Sequence, residues 1–308
     1  MSTPSVVRTT VITGASTGIG RATALHLARR GWQVFAGVRN ERDAESLRSV
    51  GIPSIRPLMI DVTDGASIEH AVAEVRAVLD GRGLAGLVNN AGVGVAIPVE
   101  YVRLDVLRAS FEVNVFGQIA ITQAFLPLVR AARGRIVNIG SVGDRLTIPF
   151  GGVVCGSKSA FASLTDALRL ELHAFGIHVV LVEPASINTP AVEKTLGDME
   201  RTIAELPEEG AARYGVTLRA FAERAYRREK AGTSPEAVAK TVERALMDAR
   251  PRARYLVGKD STLLAMLARF LPTRLLDAVR WRIFGLPTTF GAAVGASQAD
   301  ALLHRGSP

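Results

Sequence analysis

The sequence predicts an α/β fold: a doubly wound, mostly parallel sheet of seven strands with helices on both faces, a helical lid and a C-terminal helical extension. Three observations carry that expectation. Short, nearly continuous apolar runs alternate with segments of helical period, as strands buried on both faces require. Glycine-bearing turns separate them. Apolar residues make up 48% and charged residues 21% of 308 residues, enough for one large core.

The elements follow in order. "VRTTVITGA" is a β-branched run closing on glycine, a strand and a turn. "GRATALHLARRG" has helical spacing and ends at Gly31. "QVFAGVR" and "SIRPLMIDV" read as the second and third strands, with "IEHAVAEVRAVLDG" a helix after them. "LAGLVNNAG" is the fourth strand, and Leu104 to Ala131 is helical. "GRIVNIGS", "SKSAFASLTDALRLELHAFG" and "IHVVLVEPA" give strand, helix and strand. Beyond Pro190 the pattern becomes helical, with no clear strand until "ARYLVG", the seventh. "SPEAVAKTVERALMDAR" is a helix with Ser234 at its cap and Pro235 in its first turn. No internal repeat or low-complexity linker divides the chain, so 1–308 is expected to be one domain, with 191–230 as lid and 260–308 as extension.

One cysteine, Cys155, excludes an internal disulfide framework and suits a reducing compartment. No secretory pattern precedes Arg8, and no uncharged apolar run approaches the roughly 20 residues of a membrane span. A cytoplasmic location is therefore expected. The net charge is +8, with nine Lys/Arg against three acidic residues from Arg250 onward. That skew suits an acidic membrane surface, a nucleic acid or a solvated basic face, and nucleic-acid binding is the least favoured. Histidines 26, 70, 173, 178 and 304 form no spaced set with the cysteine, so no metal site is expected.

The first chemical signal is "TGASTGIG", with Gly14, Ser16, Thr17, Gly18, Ile19 and Gly20, between a strand and a helix. Glycines let the backbone turn tightly and approach a diphosphate, which the helix N-terminus favours. At the second strand's end, where an acid would select ribose hydroxyls, stand Val38, Arg39 and nearby Arg42. A guanidinium matches an added phosphate, so NADP(H) is expected over NAD(H), unless Arg39 is an ordinary surface residue.

Together these motifs resemble the short-chain dehydrogenase/reductase family, from about Val7 to Pro190, and imply a Rossmann-like fold. The resemblance implies adenine contacts from Asp61 and Val62, and sheet and cofactor support from Asn89, Asn90, Ala91 and Gly92. It implies that Asn114 serves a proton relay, that Ser141 bonds the substrate oxygen, and that Lys158 binds the nicotinamide ribose. Pro184, Ile187 and Thr189 match the segment around the nicotinamide. Read without the family, Ser141 could cap a turn and Asn114 could satisfy backbone groups across a helix kink.

The family's catalytic tyrosine lies four residues before the lysine and thirteen after the serine, and both spacings land on Val154. Valine has no ionisable proton. Cys155 projects about a third of a turn away on the helix and is a poor replacement. Tyr101, Tyr214, Tyr226 and Tyr255 all miss the motif, and Ala185 stands where the family has glycine after the proline.

The C-terminal part more loosely resembles members that act on steroids, retinol and other lipophilic alcohols or ketones. Val192, Leu196, Met199, Ile203, Leu206, Tyr214, Leu218 and Phe221 are then lid-wall candidates, or ordinary core. Leu275, Leu276, Val279 and Ile283 recur at helical spacing beside Arg274, Arg280 and Arg282, a helix that either lies on a bilayer or packs on protein. The expected function is an NADP-binding oxidoreductase on a small lipophilic carbonyl or alcohol, impaired or altered by loss of the tyrosine. The alternative is an inactive nucleotide-binding protein serving as sensor, scaffold or subunit partner. The resemblance further implies a homo-dimer or homo-tetramer.

Overall fold

The computed structural model describes residues 7–287, so the expected extension beyond 287 lies outside the described residues. Strands β1 (Thr9–Ile12), β2 (Gln33–Val38), β3 (Ile55–Met59), β4 (Gly86–Asn89), β5 (Arg135–Ile139), β6 (His178–Pro184) and β7 (Arg254–Val257) form one sheet. Its order is β3-β2-β1-β4-β5-β6-β7, and every pairing is parallel. Strand order reverses at β1, between β2 and β4, which opens a crevice beyond the carboxyl ends of the central strands.

Helices cover both faces, as a parallel sheet requires. On one side α1 (Gly18–Arg29) and α10 (Pro235–Met247) bury Ala24, Leu27, Val238 and Val242 against Ile12, Val34 and Val180. On the other, α3 (Gly65–Leu79) and α5 (Gly117–Ala131) bury Val72, Val75, Ile121 and Phe125 against Phe35, Leu87 and Ile136. The helical stretch 104–131 has the length and mean hydropathy, 1.2, to cross a membrane. Its Ile121, Phe125, Leu128 and Val129 are instead core residues against the sheet.

Several local expectations are refined. The stretch 104–131 is α4 (Leu104–Phe111), a π-turn at Glu112–Phe116, and α5. Asn114 sits in that π-turn, a feature common at functional sites. The helix α6 runs Gly152–Leu172, starting early enough to include Val154. Helix α2 (Glu41–Arg48) is missing from the sequence reading because only Ala44 and Leu47 are buried, too little for a visible period. Ser234 holds the N-cap position of α10 but makes no side-chain cap bond.

The stretch expected as a lid, 191–230, is three helices, α7 (Pro190–Leu196), α8 (Met199–Ala204) and α9 (Glu208–Lys230). Beyond β7, α11 (Ser261–Phe270) and α12 (Thr273–Phe284) fold back over the site. Leu276 packs with Val142 and Leu146, and Phe284 with Phe221 and Ala225.

Candidate functional site

A cavity of about 660 Å³ runs from the β1–α1 turn, past the ends of β2 and β3, to the lid and C-terminal helices. Its first half is built from turns that only glycine permits. Gly18 holds φ of +57°, and a Cβ on Gly20 would stand 2.2 Å from the Gly14 carbonyl oxygen. Gly20 therefore does not line the cavity; it lets the turn close beneath it. Thr17 caps α1 without a side-chain bond, and no acid stands in the first turn, so the backbone N–H groups there are open to an anion.

The turn is fastened from β4. Asn90 donates from Nδ2 to the carbonyl oxygens of Thr13 and Gly14, at 2.9 and 3.0 Å. Thr13 Oγ1 accepts from the N–H groups of Asn90 and Ala91, both at 3.0 Å. Asn89 faces inward instead, donating to Thr122 at 2.8 Å and Asn138 at 2.9 Å, and so ties β4 to β5 and α5. The sequence expectation of sheet support at Asn89 matches that placement.

Gly14, Ser16, Thr17, Gly18, Ile19, Arg39, Asp61, Val62, Asn90, Ala91, Gly92, Lys158, Pro184, Ile187 and Thr189 all line the cavity. Arg42 does not; it is exposed on α2, and Asn40 and Asp43 line the wall in its place. Those two were missed because α2 itself was missed. Asn40 caps α2 by accepting from the Asp43 N–H at 2.9 Å, and its Nδ2 donates to the Asp43 carboxylate, also at 2.9 Å. Burial pushes the Asp61 carboxyl up, but bonds from Thr63 and the charge of Arg39 hold it below its ordinary value.

The second half holds the expected reaction centre. Ser141 ends β5's loop at the N-cap of a short 3-10 turn, and its Oγ accepts from the Gly143 N–H at 3.0 Å. The serine thus caps a turn, one of the two roles read from sequence, and its hydroxyl proton has no acceptor among the described residues. Lys158 donates from Nζ to the Ile139 carbonyl at 2.8 Å. Burial lowers its ammonium to about 8, with Asp144 opposing. Asp144 is itself pushed up to about 7 by burial and the neighbouring Glu183.

Asn114 lies under the cavity, fully buried, rather than on its wall. Its Oδ1 accepts from the Val93 N–H at 2.8 Å, and its Nδ2 donates to the Val93 carbonyl at 2.9 Å and Ser157 Oγ at 3.0 Å. From the π-turn Asn114 therefore fastens the loop after β4; the backbone groups it satisfies are those of Val93, not groups across the helix irregularity itself. Val154 lines the cavity one helical turn before Lys158. The buried thiol of Cys155 also lines it, and burial raises its pKa.

None of the four tyrosines lines the cavity. Tyr101 and Tyr214 stack edge-on within the lid cluster, 5.8 Å between ring centres. Tyr226 donates to Glu193 at 2.6 Å and Tyr255 to Asp248 at 3.1 Å.

Of the expected lid-wall residues, Val192, Leu196 and Phe221 face the cavity. Met199, Ile203, Leu206, Tyr214 and Leu218 instead make a separate lid core with Ala96 and Ala222. The missing wall comes from Leu264, Leu267, Leu276, Val279 and Ile283 of α11 and α12. The apolar spacing that suggested a single membrane face is thus divided: Leu276 is buried and Leu275 is 58% exposed. Among the described residues no cluster of metal-ligating side chains occurs.

The model of the short chain dehydrogenases matches residues 8–200, the stretch that carries β1 to β6, the nucleotide-type turns and Ser141, Val154 and Lys158. The chain belongs to the short-chain dehydrogenase family. Retinol dehydrogenase 5 of Homo sapiens is 37% identical over 276 residues, 87% of this chain and 86% of that protein. The NADPH-dependent 3-dehydrocapnine reductase of Ornithobacterium rhinotracheale is 32% identical over 90% of this chain and 97% of that protein. A short chain dehydrogenase from Burkholderia cenocepacia, solved with NADP, superposes with TM-score 0.67 at 25% identity, covering 89% of this chain and 97% of that one. Another from Burkholderia phymatum, solved with NAD, superposes with TM-score 0.70 at 24% identity, covering 89% and 95%, and speaks for the fold alone. One of these structures holds NADP and the other NAD, and family membership leaves the choice for this chain open.

Proposed function

We propose that this short-chain dehydrogenase is an NADP-dependent oxidoreductase of a small lipophilic carbonyl or alcohol, slowed by the absence of a proton donor at position 154. The supporting observation is one continuous cavity, with nucleotide-type turns at one end and apolar walls from α7, α9, α11 and α12 at the other. Ser141 and Lys158 stand between them. A nucleotide fits the first half because the α1 N-terminus is unopposed and the glycines leave its approach clear. A bound nicotinamide supplies a hydride. Ser141 offers its free O–H to the substrate oxygen, and Lys158, drawn off the Ile139 carbonyl, holds ribose hydroxyls. Asn114 fixes the loop at Val93 beside them. Val154 offers no proton, and general acid catalysis is worth about 10²–10⁴-fold in rate.

The relatives' names favour this substrate class, since one is a retinol dehydrogenase and another an NADPH-dependent reductase. Arg39, on the wall beside the Asp61 site, favours the phosphorylated nucleotide. The test is NADPH oxidation with panels of retinoid, steroid and fatty carbonyls. Slow turnover confined to lipophilic carbonyls is expected. Nucleotide binding with no turnover would instead favour the inactive sensor or scaffold.

Two surfaces extend the proposal. Phe116, Leu164, Leu170 and Phe175 leave apolar area exposed on the π-turn before α5, on α6 and on the turn that follows α6, and this suits a homo-dimer or homo-tetramer through those elements. Leu263, Met266, Phe270, Leu275 and Trp281 are exposed along α11 and α12 beside Arg269, Arg274 and Arg282. That combination suits peripheral contact with an acidic bilayer rather than a nucleic acid, and co-sedimentation with anionic vesicles at low salt checks it.

A further inference from the structure

Behind the reaction centre lies a buried cluster of charge that the proposed reaction does not use. Glu183, near the end of β6, is fully buried, and Arg145 forks it through Nε at 2.7 Å and Nη2 at 3.0 Å. Asp144, in the turn after Ser141, has a side chain only 2% exposed. One nitrogen of Arg254 on β7, Nη1, donates to both Asp144 Oδ2 and Glu183 Oε1, each at 2.9 Å. The two carboxyl groups therefore stand side by side on one donor. The second oxygen of Asp144, Oδ1, is buried and has no hydrogen-bond partner among the described residues.

A bare carboxylate oxygen in the interior costs free energy unless a donor reaches it. The neighbouring donors are engaged elsewhere. Arg254 gives its other nitrogen, Nη2, to Asp166 of α6 at 2.6 Å, and Arg169 also pairs with Asp166. Lys158 donates to the Ile139 carbonyl at 2.8 Å. Ser159 Oγ sits between the carbonyls of Asp144 and Cys155, at 3.1 and 2.9 Å. Arg269 of α11, on the outer crevice beside Asp144, lies over the Phe270 ring. What remains is a proton: a protonated Asp144 supplies its own O–H, and Glu183 is the acceptor beside it. Burial and the Glu183 charge accordingly hold Asp144 well above the ordinary carboxylate range, against the pull of Arg254 and Arg145.

The pair meets the reaction centre at two points. The Asp144 N–H donates to the Ser141 carbonyl at 3.0 Å, and the Asp144 carbonyl accepts from Ser159, the residue after Lys158. Its charge is also felt at Lys158, where it opposes the lowering by burial. We propose that Asp144 is a positioning residue of the reaction centre: it shares one proton with Glu183 and, on releasing it, places a carboxylate behind Lys158 that keeps the ammonium charged. This deepens the proposed function and rests on its reading of Ser141 and Lys158. As pH rises, Asp144 ionises before Lys158 loses its proton, so the lysine can hold ribose hydroxyls to a higher pH than burial alone would allow.

Two measurements on the whole protein test it. Infrared difference spectroscopy reads the proton. At about pH 6, where ordinary carboxyls are ionised, the native protein should show a protonated-carboxyl stretch that is lost by about pH 9. Part of that stretch should be missing from Asp144→Asn, whose amide replaces the O–H with an N–H donor to Glu183. NADPH affinity, followed by fluorescence titration across the same range, reads the positioning. It should fall as Lys158 deprotonates, and the fall should begin about one pH unit lower in Asp144→Asn, because the supporting charge is gone. The two proteins should converge at about pH 6, where position 144 is neutral in both. Absence of the stretch from the native protein at about pH 6 would overturn the shared proton without recourse to any variant. A stretch unaltered in folded Asp144→Asn would assign it to another carboxyl, such as Glu229, which burial also pushes up, and would overturn it equally. Coincident pH profiles, or an NADPH affinity lowered by one factor at every pH, would overturn the positioning role. Failure of the native protein to bind NADPH at any pH would overturn the reading of the reaction centre and the positioning role with it, while the infrared stretch decides the shared proton separately.

Discussion

Replacing Lys158 with methionine should stabilise the cofactor-free protein while impairing its nucleotide site. The ammonium is held at about 8 by burial, against its ordinary 10.5. A lowered pKa means that the unfolded chain binds more protons than the folded one between those two values. Folding therefore carries a penalty at pH 7 that is relieved as pH rises from 8 to 10.5. The shift corresponds to about 3 kcal/mol, and loss of the bond to the Ile139 carbonyl returns about 1 kcal/mol, leaving a gain of about 2 kcal/mol. For a chain of 308 residues that is a rise in Tm of about 3 °C at neutral pH. Thermal melts of both proteins at pH 7 and pH 10 measure it. The advantage should shrink or vanish at the higher pH, and NADPH should raise the native Tm more than the variant's. A variant less stable than the native protein by the same margin at both pH values would refute the reasoning.

Arg39→Ala should weaken NADPH about 10–100-fold with little effect on NADH, the range expected when a charge-assisted bond to phosphate is lost; equal losses for both, read by fluorescence titration, would remove Arg39 from phosphate selection. Gly20→Ala should abolish nucleotide binding, because its Cβ would stand 2.2 Å from a backbone oxygen that cannot yield without opening the turn. Tight NADPH binding by a folded Gly20→Ala protein would contradict the cradle described for the β1–α1 turn.

The nucleotide half was legible in the sequence because its chemistry is local. The strand, "TGASTGIG" and the helix are contiguous, and spacing alone places Lys158 and Val154 on one face of α6. The substrate half was not, because its wall is assembled from elements far apart in the chain. Helical spacing made Leu276 and Leu275 look equivalent, yet adjacent residues on a helix stand about 100° apart, and here one meets the core and the other solvent. Met199 and Ile203 look as apolar as Val192 and Leu196, but α8 closes on α9 and removes them from the cavity. Arg280 read as surface charge beside an apolar stripe, and only the fold places it on the cavity wall.

The most direct test of the proposal that a proton donor is missing is Val154→Tyr. Lys158 lies one turn onward on α6, and Ser141 lines the same cavity, so a phenol at 154 would complete the family's arrangement. Overpacking could cost about 1–3 kcal/mol, so the variant is first checked for cooperative melting and NADPH binding. NADPH-dependent reduction of the lipophilic carbonyl panel is then compared between the two folded proteins. The account predicts that the variant is faster by about 10²–10⁴-fold, the contribution of a positioned general acid. Brisk turnover by the native protein, not increased by the tyrosine, would contradict it.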